Sequence, residues 1–378
     1  MITVFADQHL YKIASFFPDS IDLILFDPSE GLPDDLHRAQ GLLIRTVNPI
    51  NPRTLPEIPG SLSFIGTGSS GTDHVDRDHL KKNGVAFVDA AGCNARSVAE
   101  YIAASLLIWS EQEQKPLENR SVGIVGVGHV GFQVQKILDE LDRNIQTVGY
   151  DPPRDQREAS FTSAPLDQLL HTDILTFHTP LTTSGEHPTF HWLDEEKLSR
   201  HSFELVINTA RGGIVDEQAL LKAQQEGSVP YYMLDVWENE PEIDLRSAEK
   251  AYLKTPHIAG YSIQAKLNAS QYVADALLAH FNIDQKKQRP EYSLKQVDEP
   301  VDHFKDLPEL MKQLHPIGAY EAELRRILSN SPRIRGRLFN NLRAEFPLRH
   351  EFSHIRLRDS YFERFPVLKN LGFRIQVI

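Results

Sequence analysis

Residues 120–141 read RSVGIVGVGHVGFQVQKILDEL. An apolar run, Val122–Val125, meets glycines at 126, 128 and 131, and a helix-forming stretch follows. A GxGxxG pattern alone is weak, because a tight structural turn produces it too. Set between a strand and a helix, it has the context that dinucleotide chemistry needs. Gly126 permits the turn, Gly128 lets the backbone approach a pyrophosphate, and Gly131 allows helix and strand to pack closely. The amides of His129 and Val130 then point at phosphate oxygens from the helix N-terminus. The next apolar run, IQTVGYD, ends in Asp151. An acid there accepts hydrogen bonds from the adenosine ribose hydroxyls and repels a 2′-phosphate, which favours NAD over NADP. Arg154, close by, reads as a surface arginine.

Outward from this motif the chain repeats one theme. Before it, ITVFAD, IDLILFD, GLLIRT, SLSFIGTGSSG and VAFVDAAG read as buried strands ending in turn chemistry, and a helix is expected from about Ala95 to Ser110. After it come NIQTVGYDPP, DILTFHTPLT, FELVINTARGG, VPYYMLDVWENEP and LKTPHIAGYS. Short apolar strands alternating with helical stretches predict parallel sheets with crossover helices, hence two doubly wound α/β units in series. DQKKQRPEYS, residues 284–293, reads as a charged linker. From Lys286 onward eighteen basic residues face twelve acidic ones, and the pattern suggests a small α+β module. DLPELMKQLHPIGAYEAELRRILS and DSYFERFPVLKNLG read as helices there, HEFSHIRLR and FRIQVI as strands.

Composition narrows the function classes. At 378 residues the chain exceeds a single core, and 40% hydrophobic with 24% charged residues fits a soluble globular protein. A net charge of -12 argues against nucleic acid as a partner. Cys93 is the only cysteine, which excludes an intramolecular disulfide. MITVFADQHL reads as a strand and not as a signal peptide, and EYIAASLLIWSE is too short to span a bilayer, so a cytoplasmic protein without membrane contact is expected. His74, His178, His187 and His191 have no metal-ligand spacing, and no metal is expected.

Three residues at later strand ends form a candidate reaction set. Arg211 lies in INTARGG, Glu240 in DVWENEP and His257 in TPHIAG. Each has a plain structural reading alone: a surface ion pair, a neighbour of a helix cap, a satisfied core histidine. Together they supply what alcohol oxidation by hydride transfer requires. Imidazole shuttles the hydroxyl proton near neutral pH, a carboxylate orients it, and a guanidinium fork fits a substrate carboxylate.

GVGHVG, TARGG-VDE, LDVWENEP and TPHIAG together resemble the D-isomer-specific 2-hydroxyacid dehydrogenase family, over about residues 1–285. The resemblance implies a flavodoxin-like substrate domain (1–95 and 265–285), an inserted NAD-binding Rossmann domain (96–264) and, here, a C-terminal α+β dimerisation domain (286–378). It implies that Arg211, Glu240 and His257 carry the reaction. Thr179, Thr209, Ala210, Asp235 and Gly260 would line the nicotinamide and its ribose. GTGSSGTDHVD replaces the usual carboxylate loop. That stretch and the C-terminal extension resemble a branch acting on a phosphorylated 2-hydroxy acid as a homodimer, with Thr46, Thr67 and Tyr261 matching substrate contacts. Arg45 is a candidate phosphate partner, or else half of an ion pair that closes the domains. Turnover of 3-phosphoglycerate, hydroxypyruvate or glyoxylate, and an NAD-sensing interaction protein of the same fold, stay open as alternatives.

Overall fold

A computed structural model describes residues 1–284 and 290–376. Half of the expected linker, residues 285–289, and the last two residues of FRIQVI lie outside the described residues. The chain divides into two compact units, Met1–Asn94 with Ser262–Ser293, and Ala95–Tyr261 with Leu294–Ile378.

The first unit holds β1 (Ile2–Asp7), β2 (Ile21–Phe26), β3 (Gly41–Ile44), β4 (Phe64–Thr67) and β5 (Ala86–Asp89). All pairings are parallel, in the order β2-β1-β3-β4-β5, which is the flavodoxin-like arrangement. Alternate residues serve two cores. Val4, Ala6, Leu43 and Phe64 pack with Leu267, Val273 and Leu277 of the helix Ile263–His280, while Phe5, Leu42, Ile44 and Ile65 pack with Leu80 on the other face. A sheet covered on both faces needs continuous apolar strands, and GLLI is buried throughout.

The second unit follows the same rule. Its strands are β6 (Ser121–Val125), β7 (Gln146–Tyr150), β8 (Ile174–Phe177), β9 (Leu205–Asn208), β10 (Tyr231–Leu234) and β11 (Leu253–Lys254). They run parallel in the order β11-β10-β9-β8-β6-β7. Ile174, Ile207 and Met233 face one core, and Leu175, Phe177, Val206 and Leu234 face the other. Strand order reverses at β6, whose Val125 pairs with Tyr150 on one side and Phe177 on the other. The glycine turn leaves the sheet at that switch point, where open α/β sheets bind ligands.

The helix expected near Ala95–Ser110 spans Ala95–Gln112 and is buried from Ala95 through Trp109 apart from Arg96. Its one buried acid, Glu100, explains how the C-terminal segment is held. Oε2 of Glu100 accepts from Arg349 Nη1 at 2.7 Å, and Oε1 accepts from Phe352 N at 3.0 Å and Arg96 Nε at 3.1 Å. Arg349 also donates to Ser97 O at 2.9 Å, Ser97 Oγ donates to Glu351 at 3.0 Å, and Arg96 reaches Leu371 O at 2.6 Å. Burial pushes the Glu100 carboxyl up; Arg349 and Arg96 pull against it.

The C-terminal segment itself is α+β, with a parallel sheet of β12 (Lys295–Gln296), β13 (Ile355–Leu357) and β14 (Arg374–Ile375). By its contacts it is grouped with the second unit and does not stand apart. Two stretches expected as single helices are each broken by proline. Pro316 separates Leu307–Leu314 from Ile317–Leu328, and Pro366 separates Asp359–Arg364 from Val367–Asn370. A further helix, Pro332–Glu345, was not anticipated; its arginines and Gly336 mask the spacing of Ile334, Leu338 and Leu342.

Removing one member of a buried charge network leaves the others uncompensated, at about 3–5 kcal/mol. Arg349→Met should therefore raise amide hydrogen exchange in residues 349–373 at least a hundredfold. Unchanged protection there would show that apolar packing alone holds the segment.

Candidate active site

β9, β10 and β11 are neighbours in the sheet, so the loops leaving their C-terminal ends are neighbours as well. Arg211 follows β9, Glu240 follows β10 and His257 follows β11. The first two loops touch through backbone. A Cβ on Gly212 would lie 1.8 Å from the carbonyl oxygen of Trp237, so only glycine fits beside Arg211. Asn208 braces the same turn, donating to Arg211 O at 2.9 Å and accepting from Ala210 N at 3.1 Å.

His257 and Glu240 are in direct contact. Nδ1 donates to Glu240 Oε2 at 2.8 Å, and Glu240 Oε1 accepts from Trp237 N at 2.9 Å. An ionised carboxylate only accepts, so the proton lies on Nδ1 and the neutral ring keeps its lone pair on Nε2. Burial pushes the Glu240 carboxyl up, but the charge and hydrogen bond of His257, the Arg343 guanidinium and the Trp237 amide outweigh it and hold Glu240 below its usual range. Arg211 sits on the adjoining loop, where its Nη1 donates to Ala210 O at 2.7 Å.

The backbone of His257 is left-handed, with φ of 58°, an unfavourable region for a non-glycine residue. Asp235 holds it there. The peptide N–H of His257 donates to Asp235 O at 2.7 Å. The buried Asp235 carboxylate accepts from Ile258 N at 2.8 Å, Ala259 N at 3.0 Å and Thr255 Oγ1 at 2.6 Å. Burial nevertheless pushes this carboxyl up, against the pull of His257 and these bonds. Gly260 and Tyr261 complete the loop, and Tyr261 N donates to Ile258 O at 2.8 Å.

The glycine turn has the geometry that a pyrophosphate needs. Gly126 has φ of 85°, and a Cβ there would sit 2.9 Å from the backbone of His178 and Thr179. A Cβ on Gly131 would come within 2.0 Å of Gly126 O. At Gly128, the N-cap of the helix His129–Leu141, a Cβ would meet no atom of the chain. Packing does not require glycine at that position, whereas a ligand lying over the turn does. The residues thus fit a dinucleotide, with the first amides of the helix beside it. A cavity of about 350 Å³ is lined by Gly126, Asp151 and Thr179 among others.

Asp151 stands at the end of β7, accepting from Val127 N at 2.9 Å and Arg154 N at 3.0 Å. Arg154 is engaged locally by Glu158 at 2.8 Å and by the Phe161 ring. His178 is half-buried, and desolvation pushes its imidazole down to about 3, so it stays neutral beside Thr209 and Thr176.

In the first unit Thr46 is exposed, whereas Thr67 is fully buried with its hydroxyl 3.0 Å from His74 Nε2. Arg45 pairs through Nε with the buried Asp7 at 2.7 Å, an ion pair inside the unit between the ends of β1 and β3. Ser70 donates to Asn94 at 2.8 Å. Two features escaped the sequence. Arg343 approaches Glu240 from the C-terminal segment, at 3.9 Å. His191, Asp216 and Glu238, far apart in sequence, each bring one potential ligand atom within 4.8 Å of the others, although His191 is already hydrogen-bonded to Glu238 at 3.0 Å. No local spacing signals either one.

Comparison with known proteins identifies the family. Residues 95–259 match the family described as D-isomer specific 2-hydroxyacid dehydrogenase, NAD binding domain. An erythronate-4-phosphate dehydrogenase of Marinobacter nauticus is 32% identical, covering 99% of this chain and 100% of its own. One from Escherichia coli is 37% identical over 89% of this chain and 88% of its own. Among solved structures, the NAD complex of a formate dehydrogenase from Staphylococcus aureus has a TM-score of 0.59 at 23% identity, covering 76% of this chain and 98% of its own. The NAD-bound 3-phosphoglycerate dehydrogenase of Entamoeba histolytica has a TM-score of 0.61 at 18% identity, covering 77% and 99%. Likeness at that level establishes the fold; the full-length relatives establish the lineage. The chain belongs to the D-isomer-specific 2-hydroxyacid dehydrogenase family, on its erythronate-4-phosphate dehydrogenase branch.

Proposed function

We propose that this protein oxidises 4-phospho-D-erythronate to (R)-3-hydroxy-2-oxo-4-phosphooxybutanoate with NAD, a step toward pyridoxal 5′-phosphate. The 2.8 Å bond from His257 Nδ1 to Glu240 carries the reading, because it leaves Nε2 as the proton acceptor. NAD, when bound, supplies the hydride acceptor. Gly126, Gly128, His129, Val130 and Gly131 would hold its pyrophosphate, Asp151 its adenosine ribose, and Thr179, Thr209, Ala210, Asp235 and Gly260 its nicotinamide end. The chain's own part is proton and charge handling. His257 Nε2 takes the C2 hydroxyl proton as the carbonyl forms, and Glu240 steadies the imidazolium that results. Arg211 pairs with the substrate carboxylate and polarises the forming carbonyl. Thr46, Thr67 and Tyr261 are assigned to substrate contact by resemblance. For Thr67, whose hydroxyl already faces His74, the contact falls to its backbone.

The chain is also proposed to form a homodimer through the segment from Leu294. The solved structures above cover about three quarters of this chain and nearly all of their own, whereas the Marinobacter relative spans it whole. That difference in coverage supports reading the C-terminal addition, which lies outside the region resembling the general family, as a feature of the branch.

The test of function is a substrate panel with NAD. 4-Phosphoerythronate should exceed 3-phosphoglycerate and glycolate by orders of magnitude in kcat/KM, and a reversed ranking ends the substrate assignment. His257→Ala should lower kcat about 10²–10⁴-fold while NAD binding persists; near-normal turnover removes the proton-acceptor role. Asp151→Asn, which keeps one acceptor oxygen but no charge, should erode the preference for NAD over NADP roughly 10- to 100-fold. An unchanged preference places discrimination elsewhere. Sedimentation at micromolar concentration should give twice the mass of one chain, and a monomer throughout that range discards the dimer.

A further inference from the structure

The helix Pro332–Glu345 lies against the loop that carries Glu240. Gly336, Phe339 and Arg343 recur at i, i+3 and i+7 and so share one face. A Cβ on Gly336 would sit 2.5 Å from Glu242 Oε1 and 3.2 Å from Pro241 Cγ, so the helix approaches that loop closely. Phe339, 1% exposed, shares a core with Trp237 and Ile243, the residues flanking the glutamate in the loop. On the neighbouring face Leu342 and Phe346 pack into the other core, with Phe346 edge-on to Tyr320 at 4.5 Å between centroids. Both anchors precede or follow Arg343 closely, so the arginine is presented from a fixed support.

Its guanidinium Nη1 lies 3.9 Å from Glu240 Oε2, the same oxygen that accepts from His257 Nδ1. Arg343 Nε is buried and has no hydrogen-bond partner. The guanidinium centre lies 5.9 Å from the Phe339 ring centroid. A buried donor without a partner is costly, and such groups mark sites held for a purpose other than stability.

We propose that Arg343, contributed by the C-terminal segment, is a positioning residue that holds Glu240 charged and aimed at His257. The inference rests on the proton-acceptor role assigned to His257 above. Two cations share one carboxylate oxygen. The first is the imidazole that the reaction charges; the second is permanently charged and comes from a segment outside the region resembling the general family. Arg343 secures the carboxylate when the ring is neutral, which is the state in which the ring must accept a proton. Among the described residues, the charged or titratable groups that act most strongly here are His257 and Arg343 on Glu240, and His257 on Asp235.

The experiment compares Arg343→Gln, Arg343→Met and Arg343→Lys with the parent enzyme and with His257→Ala, using 4-phosphoerythronate and NAD. Methionine keeps an apolar stem beside Phe339, so a fold defect confined to the glutamine variant does not decide the outcome. Gln and Met should lower kcat roughly 10- to 100-fold with KM for both ligands little changed. Without the cation Glu240 protonates more readily, so the acid limb of the kcat profile should move to higher pH by roughly one unit. Lysine should restore part of the rate and return the limb. Full activity and an unmoved acid limb in folded Gln and Met variants, with His257→Ala inactive, overturns the inference alone. A rise in KM for the phosphorylated acid at unchanged kcat also overturns it, since Arg343 would then be a substrate contact. Activity retained by His257→Ala fails the underlying reading instead.

Discussion

One buried carboxylate fixes where the imidazole stands. Asp235 takes three hydrogen bonds from the loop after β11, while its own carbonyl holds the His257 amide. Without that grip the side-chain bond to Glu240 would have to hold a left-handed histidine against a strain of about 1 kcal/mol or more. The family resemblance assigns Asp235 to the nicotinamide side, and the bonds it makes within the chain are architectural. Both strand ends, β10 and β11, are thereby locked into one unit, and the Glu240–His257 pair inherits its geometry from that lock.

The sheet explains why residues spread over positions 211–257 meet at all. Parallel strands put every C-terminal end on one edge, so chemistry placed after successive strands becomes adjacent in space. The same order places the glycine turn at the reversal beside β6. Close backbone packing then removes slack. Gly212 against Trp237, and Gly131 against Gly126, are approaches that a single methyl group would block.

Much of this was legible in the sequence because it is local. Strands buried on both faces show as unbroken apolar runs, and glycines that bear on a turn or a close approach sit at fixed spacing beside it. The reaction residues were readable as types at strand ends, although their contact was not: the 2.8 Å bond joins positions 17 residues apart and depends on the whole sheet. What stayed hidden is non-local or polar. The Pro332–Glu345 helix carries too many arginines and a glycine for its apolar spacing to stand out. Of the two readings of Arg45, the domain-closing ion pair does not hold, since Arg45 pairs with Asp7 at the end of the neighbouring strand in the same sheet. Pairings of that kind follow from strand order, which sequence periodicity does not encode.

The Glu100 network has a consequence for anyone who shortens this protein. The segment beginning at Leu294 is fastened by charges set in the interior, beyond the reach of dissolved ions, so high ionic strength will not peel it away. Cutting the gene before that segment would strand a carboxylate inside the long helix with its chief counter-charge gone. A trimmed version of the enzyme would need an apolar side chain in place of Glu100 before it could be expected to stay in solution.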